Sequence, residues 1–202
     1  MSERETTAEQ IGALVLAAGE SRRMGAENKL LASLGGKPML HHAVDAVLGA
    51  GIVRVGVVTG YQAERIRECL ADHAVEFCHN AAYSEGLSTS LAAGLAWVAP
   101  ELQGVLVCLG DMPGLRSEHV RGLIENFDPR GAAPICVPRY QGLRGNPVLW
   151  PRDYFEEMCG LEGDQGARQL LVRHAQRIQY VDFEDEGVIR DIDTPEDLAG
   201  GG

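Results

Sequence analysis

A glycine-punctuated loop rich in cations follows an apolar stretch near the start of the chain, in LVLAAGESRRMGAENKLL at residues 14–31. Glycines let backbone N–H groups approach an anion, arginine forks match phosphate oxygens, and lysine adds a movable positive charge. The spacing fits neither Walker A nor GxGxxG. We predict a cradle for a triphosphate, and a solvated surface loop is the alternative. The predicted contacts are Gly19, Ser21, Arg23, Gly25 and Lys29.

Three aspartates could complete a site for a phosphate-bound metal. Asp111 ends an apolar strand in VLVCLGDMPG, where a carboxylate is costly unless it is exposed or paired. Mg²⁺ prefers few carboxylates together with phosphate oxygens and waters, so Asp111 fits a metal ligand, and an ordinary turn aspartate before proline is the alternative. Asp191 and Asp193 lie two positions apart in RDIDTP and point the same way in an extended segment. One of them could be a second metal ligand, or both could form a turn before a short helix.

Small hydroxyl residues lie where another loop enters a predicted helix, in EGLSTSLAAGL. A helix N-terminus of this composition can bind anions or base edges, although the same residues also serve as N-caps. Gly86, Ser88 and Ser90 are therefore candidate nucleotide contacts. Thr59, at the end of a predicted strand, could line the same cleft.

The overall composition narrows the choice of ligand. The 202 residues carry a net charge of −11, so binding to nucleic acid through a basic face is not expected. A local cationic cluster on an acidic chain indicates a small anionic ligand instead.

No apolar run reaches the roughly 18 residues of a membrane helix, and MSERETTAEQ lacks the apolar core of a signal peptide. The five cysteines form no CxxC pair and the six histidines show no metal-ligand spacing, which fits a cytoplasmic protein with reduced thiols.

Strands and helices alternate along the chain, which favours a mostly parallel sheet covered on both faces. Ligands of such sheets bind beyond the carboxyl ends of the strands, where Gly19 and Asp111 are predicted to lie. We predict a flexible leader at 1–10 and one domain at 11–199. Strands are predicted in IGALVLAAG, VRVGVVTG, VEFCHN, GVLVCLGDMPGL, APICVPRY, NPVLW and RIQYVDF. Helices are predicted in PMLHHAVDAVLGAG, YQAERIRECLADH, SEHVRGLIENF and DQGARQLLVRHA, and Ser117 is the predicted N-cap of the third. Three more helices are predicted to begin at Ser88, after Pro151 and after Thr194, which is a predicted N-cap.

Five segments, in order, resemble the signature motifs of the MobA/MocA-like nucleotidyltransferases. They are LAAGESRRMGAENKLL, EGLSTSLAAGL, GDMP, GDQGARQLL and DIDTPEDL, and together they cover nearly the whole chain. The resemblance implies a three-layer α/β sandwich with the Rossmann-like nucleotide-diphospho-sugar transferase fold. It also implies catalysis with Mg²⁺ by Arg23, Lys29 and Asp111. By the same resemblance, Leu16, Ala17 and Ala18 would contribute to nucleotide binding.

The first motif further resembles the cytidylyltransferase branch of this family, which has LAAG and NKLL where the guanylyltransferase branch typically has LAGG and DKG. Ala18 is the residue that favours CTP over GTP. Residues 11–138 would bind the nucleotide and residues 139–199 the acceptor.

The resemblance implies molybdopterin, or the molybdenum cofactor, as acceptor, with a molybdenum hydroxylase as recipient of the product. Arg144, Asn146 and Arg168 are the candidate acceptor contacts. The family commonly has Gly-His-Pro where this chain has Gly-Asn-Pro at 145–147, and this departure leaves other acceptors open. A sugar, polyol or alcohol phosphate is one alternative. A non-catalytic protein that binds the molybdenum cofactor is another.

Overall fold

The computed structural model describes residues 8–20, 28–98, 101–163 and 166–192. An eight-stranded sheet forms its centre, and a two-stranded hairpin lies beside it. The strands are β1 Ile11–Ala17, β2 Ser33–Leu34, β3 Lys37–Pro38, β4 Arg54–Thr59, β5 Glu76–His79, β6 Gly104–Leu109, β7 Ile135–Tyr140, β8 Leu143–Arg144, β9 Val148–Pro151 and β10 Ile178–Asp182. The strand order in the sheet is β10-β7-β9-β6-β1-β4-β5, and β8 pairs with β7.

Strand β1 lies at the middle of the parallel part of the sheet. All seven of its residues are buried, as expected for a continuous apolar run covered on both faces. It pairs in parallel with β4 and with β6, so that Leu16 stands opposite Val58 on one side and Leu109 on the other. The carboxyl ends of these three strands therefore meet at one edge of the sheet.

Helices cover both faces of the sheet. They are α1 Met39–Gly49, α2 Ala63–Cys69, α3 Leu87–Trp97, α4 Ser117–Glu125, α5 Phe155–Cys159 and α6 Arg168–Arg173. The buried side chains of α1, α2 and α4 pack with one face of the sheet in one apolar cluster. Those of α3, α5 and α6 pack with the other face in a second cluster. The three-layer α/β prediction is confirmed.

The sheet is mixed on the side of the later strands. Strand β9 runs antiparallel between β6 and β7, whereas β10 runs parallel to β7. The predicted strand NPVLW is present as β9, and its antiparallel direction breaks the run of parallel pairs. Among the described residues, no helix is long and apolar enough to cross a membrane.

Two predicted helix starts differ from the structure by one residue. Helix α4 begins at Ser117 itself, and its N-cap is Arg116, whose N–H donates to Nδ1 of His119 at 3.2 Å. The imidazole thus accepts the N–H of the N-cap residue, and the predicted cap by the Ser117 hydroxyl is wrong. Helix α3 begins at Leu87 after Gly86, one residue before the predicted start. The predicted cap at Thr194 lies outside the described residues.

Candidate functional site

A cleft opens at the carboxyl ends of β1 and β6 and reaches the start of α3. We call it the polar cleft, and its volume is about 400 Å³. It brings together seven of the residues that the sequence predicts for nucleotide binding: Leu16, Ala18, Gly19, Lys29, Gly86, Ser90 and Asp111. Further lining residues that the sequence analysis did not single out are Glu20, Leu30, Tyr83, Ser84, Leu87 and Leu109.

Two of the three charged residues predicted for catalysis, Lys29 and Asp111, are bonded to each other. Nζ of Lys29 lies 2.6 Å from Oδ2 of Asp111, and it also donates to the carbonyl of Ile192 at 3.0 Å. Ile192 in turn donates its N–H to the carbonyl of Asp111 at 3.1 Å. The side chains of Lys29 and Asp111 are only 14% and 17% exposed. A charge with so little contact with solvent needs a counter-charge nearby, and each of these two groups supplies one for the other. The sequence, in which these residues are 82 positions apart, did not predict this pairing.

Asn28 sets the direction of Lys29. Its buried Oδ1 accepts the N–H of Leu30 at 3.1 Å, which starts a 3-10 turn over Lys29–Leu31. An asparagine that caps a turn in this way uses its side chain in place of a missing backbone partner. The NKLL motif thus combines a cap, a cation and two apolar residues packed with the core, of which the sequence pattern indicated only the cation.

One carboxylate oxygen of Asp111 is suited to a cation. Oδ1 is buried, and no described residue gives it a hydrogen bond, whereas Oδ2 takes the bond from Lys29. A buried carboxylate oxygen without a donor is costly unless something positive meets it, and Mg²⁺ prefers a site with few carboxylates. Asp191 is exposed and precedes Ile192, which contacts Asp111, while Asp193 lies outside the described residues. Within the described ranges no cluster of three or more metal-ligand side chains exists.

A buried asparagine shapes the wall of the polar cleft at α3. Nδ2 of Asn80 donates to the hydroxyls of Thr89 and Ser90 at 2.9 and 3.0 Å, and its Oδ1 accepts the N–H of Ala82. Gly86, the N-cap, has φ of 122°, a conformation that favours glycine. The only sequence signal for Asn80 is its position at the end of a predicted strand.

Three predicted nucleotide contacts lie behind the cleft rather than in its lining. Ala17 and Thr59 are completely buried, and the Thr59 hydroxyl is 3.5 Å from the carbonyl of Cys78. Ser88 is also buried, and its N–H donates to the carbonyl of Gly163. These side chains support the walls. Ser21, Arg23 and Gly25 of the predicted cradle lie outside the described residues.

A second cavity adjoins the polar cleft and contains all three predicted acceptor contacts. We call it the acceptor pocket, and its volume is about 340 Å³. Arg144, Asn146 and Arg168 line it with an apolar wall that includes Trp150. It shares Leu16, Leu87 and Leu109 with the polar cleft, so ligands in the two cavities would lie side by side.

The loop that carries Asn146 is tightly packed. The N–H of Asn146 donates to the carbonyl of Val188 at 2.7 Å, and the N–H of Gly145 donates to that of Pro138 at 2.9 Å. A Cβ on Gly145 would lie 2.0 Å from the carbonyl oxygen of Val188, so only glycine fits there. The glycine of the Gly-Asn-Pro segment therefore allows the loop to approach residues near the end of the described chain.

The cysteines do not supply reactive thiolates to this site. Burial, with a smaller contribution from Glu76, raises the pKa of Cys78 to about 11, and burial raises the pKa of Cys136 to about 12. Thiols of this kind stay protonated at neutral pH and are poor nucleophiles. None of the five cysteines lines either cavity.

A mixed, mostly parallel sheet with helices on both faces is the fold of nucleotidyltransferases with the Rossmann-like nucleotide-diphospho-sugar transferase architecture. Residues 13–178 match the MobA-like NTP transferase domain. The chain belongs to this MobA-like family, which confirms the family resemblance noted in its motifs.

The chain is similar in sequence to relatives with different names, two of which match over most of their length. The purine catabolism protein PucB of Bacillus subtilis (strain 168) is 31% identical over 194 residues, covering 90% of this chain and 91% of PucB. A probable molybdenum cofactor guanylyltransferase of Pyrococcus horikoshii is 31% identical over 177 residues, covering 85% and 86%. The bifunctional protein GlmU of Symbiobacterium thermophilum is 41% identical over 117 residues, which are 56% of this chain and 24% of GlmU. The chain thus matches only about a quarter of the length of GlmU.

Solved structures agree with the fold over nearly the whole chain. The crystal structure of Rv0371c from Mycobacterium tuberculosis H37Rv is 30% identical with a TM-score of 0.84, and the match covers 96% of this chain and 97% of that one. A structure of Rv0371c in complex with manganese matches with 27% identity, a TM-score of 0.78 and coverage of 95% and 97%.

Proposed function

We propose that the protein is a Mg²⁺-dependent nucleotidyltransferase. It would join the nucleoside monophosphate part of a triphosphate to the phosphate of molybdopterin or the molybdenum cofactor and release pyrophosphate. The observation that carries the proposal is the Lys29–Asp111 pair in the polar cleft, directly beside a pocket with Arg144 and Arg168 on its lining. Membership of the MobA-like family supports the reaction class.

The reaction needs positioning and charge neutralisation more than a base. A phosphate monoester is already a nucleophile, so an acceptor oxygen attacks the α-phosphorus in line while the bond to the leaving pyrophosphate breaks. Backbone N–H groups at Gly19 and Gly86 would meet phosphate oxygens. Lys29, with Arg23 from the preceding loop, would offset the charge that grows on the α-phosphate and on pyrophosphate.

Asp111 is the proposed metal ligand, and Asp191 or Asp193 would be the second. The buried Oδ1 of Asp111, which has no donor among the described residues, is the oxygen that fits this role. These carboxylates would hold Mg²⁺ beside the phosphates, where it would supply positive charge to offset theirs. The manganese complex of Rv0371c supports a divalent ion in this fold.

CTP is the proposed nucleotide, on the strength of Ala18 and the NKLL segment. Ala18 lines the polar cleft, where its methyl group could contact a base or ribose. The Pyrococcus horikoshii relative, named as a probable guanylyltransferase, makes GTP the competing nucleotide.

Molybdopterin is the proposed acceptor, and a molybdenum hydroxylase in the same cytoplasm would receive the product. A second candidate is transfer to another small phosphorylated acceptor, such as a sugar, polyol or alcohol phosphate, because the Gly-Asn-Pro segment departs from the family pattern. Asn146, where the family usually has histidine, keeps hydrogen bonding but lacks an ionisable ring, which is consistent with either acceptor.

The deciding experiment measures pyrophosphate release with Mg²⁺ and each of the four nucleoside triphosphates, with and without molybdopterin. We expect release that needs molybdopterin and is fastest with CTP. If release instead needs a sugar, polyol or alcohol phosphate, the protein is a nucleotidyltransferase with a different acceptor. Tight molybdopterin binding without pyrophosphate release from any nucleotide would make the protein a non-catalytic cofactor-binding protein.

A further inference from the structure

One short segment touches both halves of the candidate site. We call residues 185–192 the strap. The carbonyl of Val188 accepts the N–H of Asn146 on the acceptor side. At the other end of the strap, Ile192 bonds to Asp111 through its N–H and to Lys29 through its carbonyl. The position of the strap therefore bears on the distance between the acceptor loop and the paired charges.

The strap begins at an anchor on α4. Oδ2 of Asp185 accepts from Nε2 of His119 at 3.0 Å and from Nη2 of Arg116 at 2.5 Å, and Oδ1 accepts the N–H of Gly187 at 2.9 Å. Partial burial opposes ionisation, but these hydrogen bonds outweigh it and hold the pKa of Asp185 at about 2. The carboxylate is therefore ionised throughout the neutral range.

His119 is fixed in orientation as well as in place. Its side chain is 2% exposed, and its ring packs edge-on against Phe183. Nδ1 accepts the N–H of Arg116, so in the neutral ring the proton is on Nε2, which donates it to Asp185. The anchor thus connects the first turn of α4 to the strap through a directional bond.

Apolar contacts also hold the strap, but they are less directional. Val188 and Ile192 are almost fully buried, and Ile192 packs with Leu34 and Met39. Apolar burial is strong and tolerates small shifts, whereas hydrogen bonds set angles and register. The strap can therefore stay docked after the anchor is lost, with its carbonyl and N–H groups slightly displaced.

We propose that Asp185 and His119 are positioning residues, which set the strap so that the acceptor loop and the Lys29–Asp111 pair are correctly spaced for transfer. This role rests on the nucleotidyltransferase function proposed above. Neither side chain lines the polar cleft or the acceptor pocket, so neither is a catalytic residue.

Asp185→Asn tests the anchor, and Asp182→Asn is its matched control. Asp182 lies three residues earlier and holds an exposed two-point pair with Arg139, which does not involve the strap. In Asp185→Asn we expect hydrogen exchange at the N–H groups of Asn146 and Ile192 to rise about 10-fold, the scale of one lost charge-assisted bond. Exchange in the central strands should stay unchanged, and Asp182→Asn should exchange as the parent protein does at both amides.

Turnover gives the second measurement. We expect Asp185→Asn to lower kcat about 10-fold while KM for the nucleotide stays the same, because misplacement affects the transition state more than nucleotide binding. His119→Gln, which keeps a donor and an acceptor, should retain more activity than His119→Leu. Equal activity in these two variants would overturn the positioning role.

The exchange measurement needs no substrate, so it separates this proposal from the proposed function. Unchanged exchange at Asn146 and Ile192 in Asp185→Asn would overturn the anchor, and so would faster exchange spread evenly over the sheet. A parent protein that releases no pyrophosphate with any nucleotide would overturn the proposed function, whatever the exchange result.

Discussion

The polar cleft and the acceptor pocket are neighbours built by different means. The cleft lies at the ends of parallel strands, and its charges, Lys29 and Asp111, are half-buried and bonded to each other. The pocket lies over the antiparallel strand β9, with buried Trp150 in its wall and the exposed residues Arg144 and Arg168 on its lining. Half-buried paired charges tolerate little change, whereas exposed arginines adapt more easily. The reaction is therefore expected to depend on the cleft, and the choice of acceptor on the pocket.

Removing the carboxylate of the cleft should have the largest effect. We expect Asp111→Ala to lower turnover at least ~100-fold, because it deletes the proposed metal ligand and the carboxylate that orients Lys29. Pyrophosphate release with saturating CTP and molybdopterin measures this. The control is Asp182→Asn, whose activity should match that of the parent protein. Near-normal turnover in Asp111→Ala would remove Asp111 from the mechanism.

Removing the cation should have a similar effect. Lys29→Ala is expected to lower turnover at least ~100-fold, because charge on the α-phosphate and pyrophosphate would no longer be offset. Lys37→Ala is the matched control, since Lys37 is a more exposed lysine that pairs with Asp45. A loss of the same size in both variants would mean that the effect is not specific to the cleft.

A change in the pocket should affect the acceptor alone. Arg168→Ala is expected to raise KM for the acceptor about 10-fold and to leave KM for the nucleotide unchanged, as for the loss of one charged hydrogen bond. Arg173→Ala, on the same helix but paired with Glu157 outside the pocket, is the control. If KM for the nucleotide rose as well, the division between the two cavities would be wrong.

The smallest effect is expected behind the cleft wall. Thr59→Val should keep turnover and KM for the nucleotide within about 2-fold, because the Thr59 hydroxyl is buried near the carbonyl of Cys78 and does not line the cleft. Steady-state kinetics with varied CTP measures this. A large rise in KM for the nucleotide would instead support the direct contact that the sequence predicts for Thr59.

The nucleotide side was easier to predict from sequence than the acceptor side. The buried run of β1 and the strand end at Asp111 are local patterns, and parallel pairing brings such strand ends together. The antiparallel direction of β9 depends on partners far along the chain, which periodicity does not reveal. Asn80 gave no motif, although its amide holds two hydroxyls at the cleft wall.

Side-chain pairing across long sequence distances was also beyond the sequence analysis. His119 and Asp185 are 66 positions apart, and each looks ordinary in its own segment. The histidines show no metal-ligand spacing in the sequence, and only the three-dimensional arrangement reveals that His119 bonds to Asp185 at the start of the strap. The same limit applied to Lys29 and Asp111, for which the sequence predicted separate roles in phosphate binding and metal binding.

The Lys29–Asp111 bond would couple the proposed metal and nucleotide sites. Nζ of Lys29 occupies Oδ2 of Asp111, and Oδ1 is the oxygen proposed for the metal, so an ion that arrived alone would lie close to an ammonium group of the same sign. A triphosphate that arrived with the ion would offset both positive charges. By thermodynamic linkage, the ion would then raise the affinity for the nucleotide by the same factor as the nucleotide raises that for the ion. The pair would thus select the metal–nucleotide complex over either component alone.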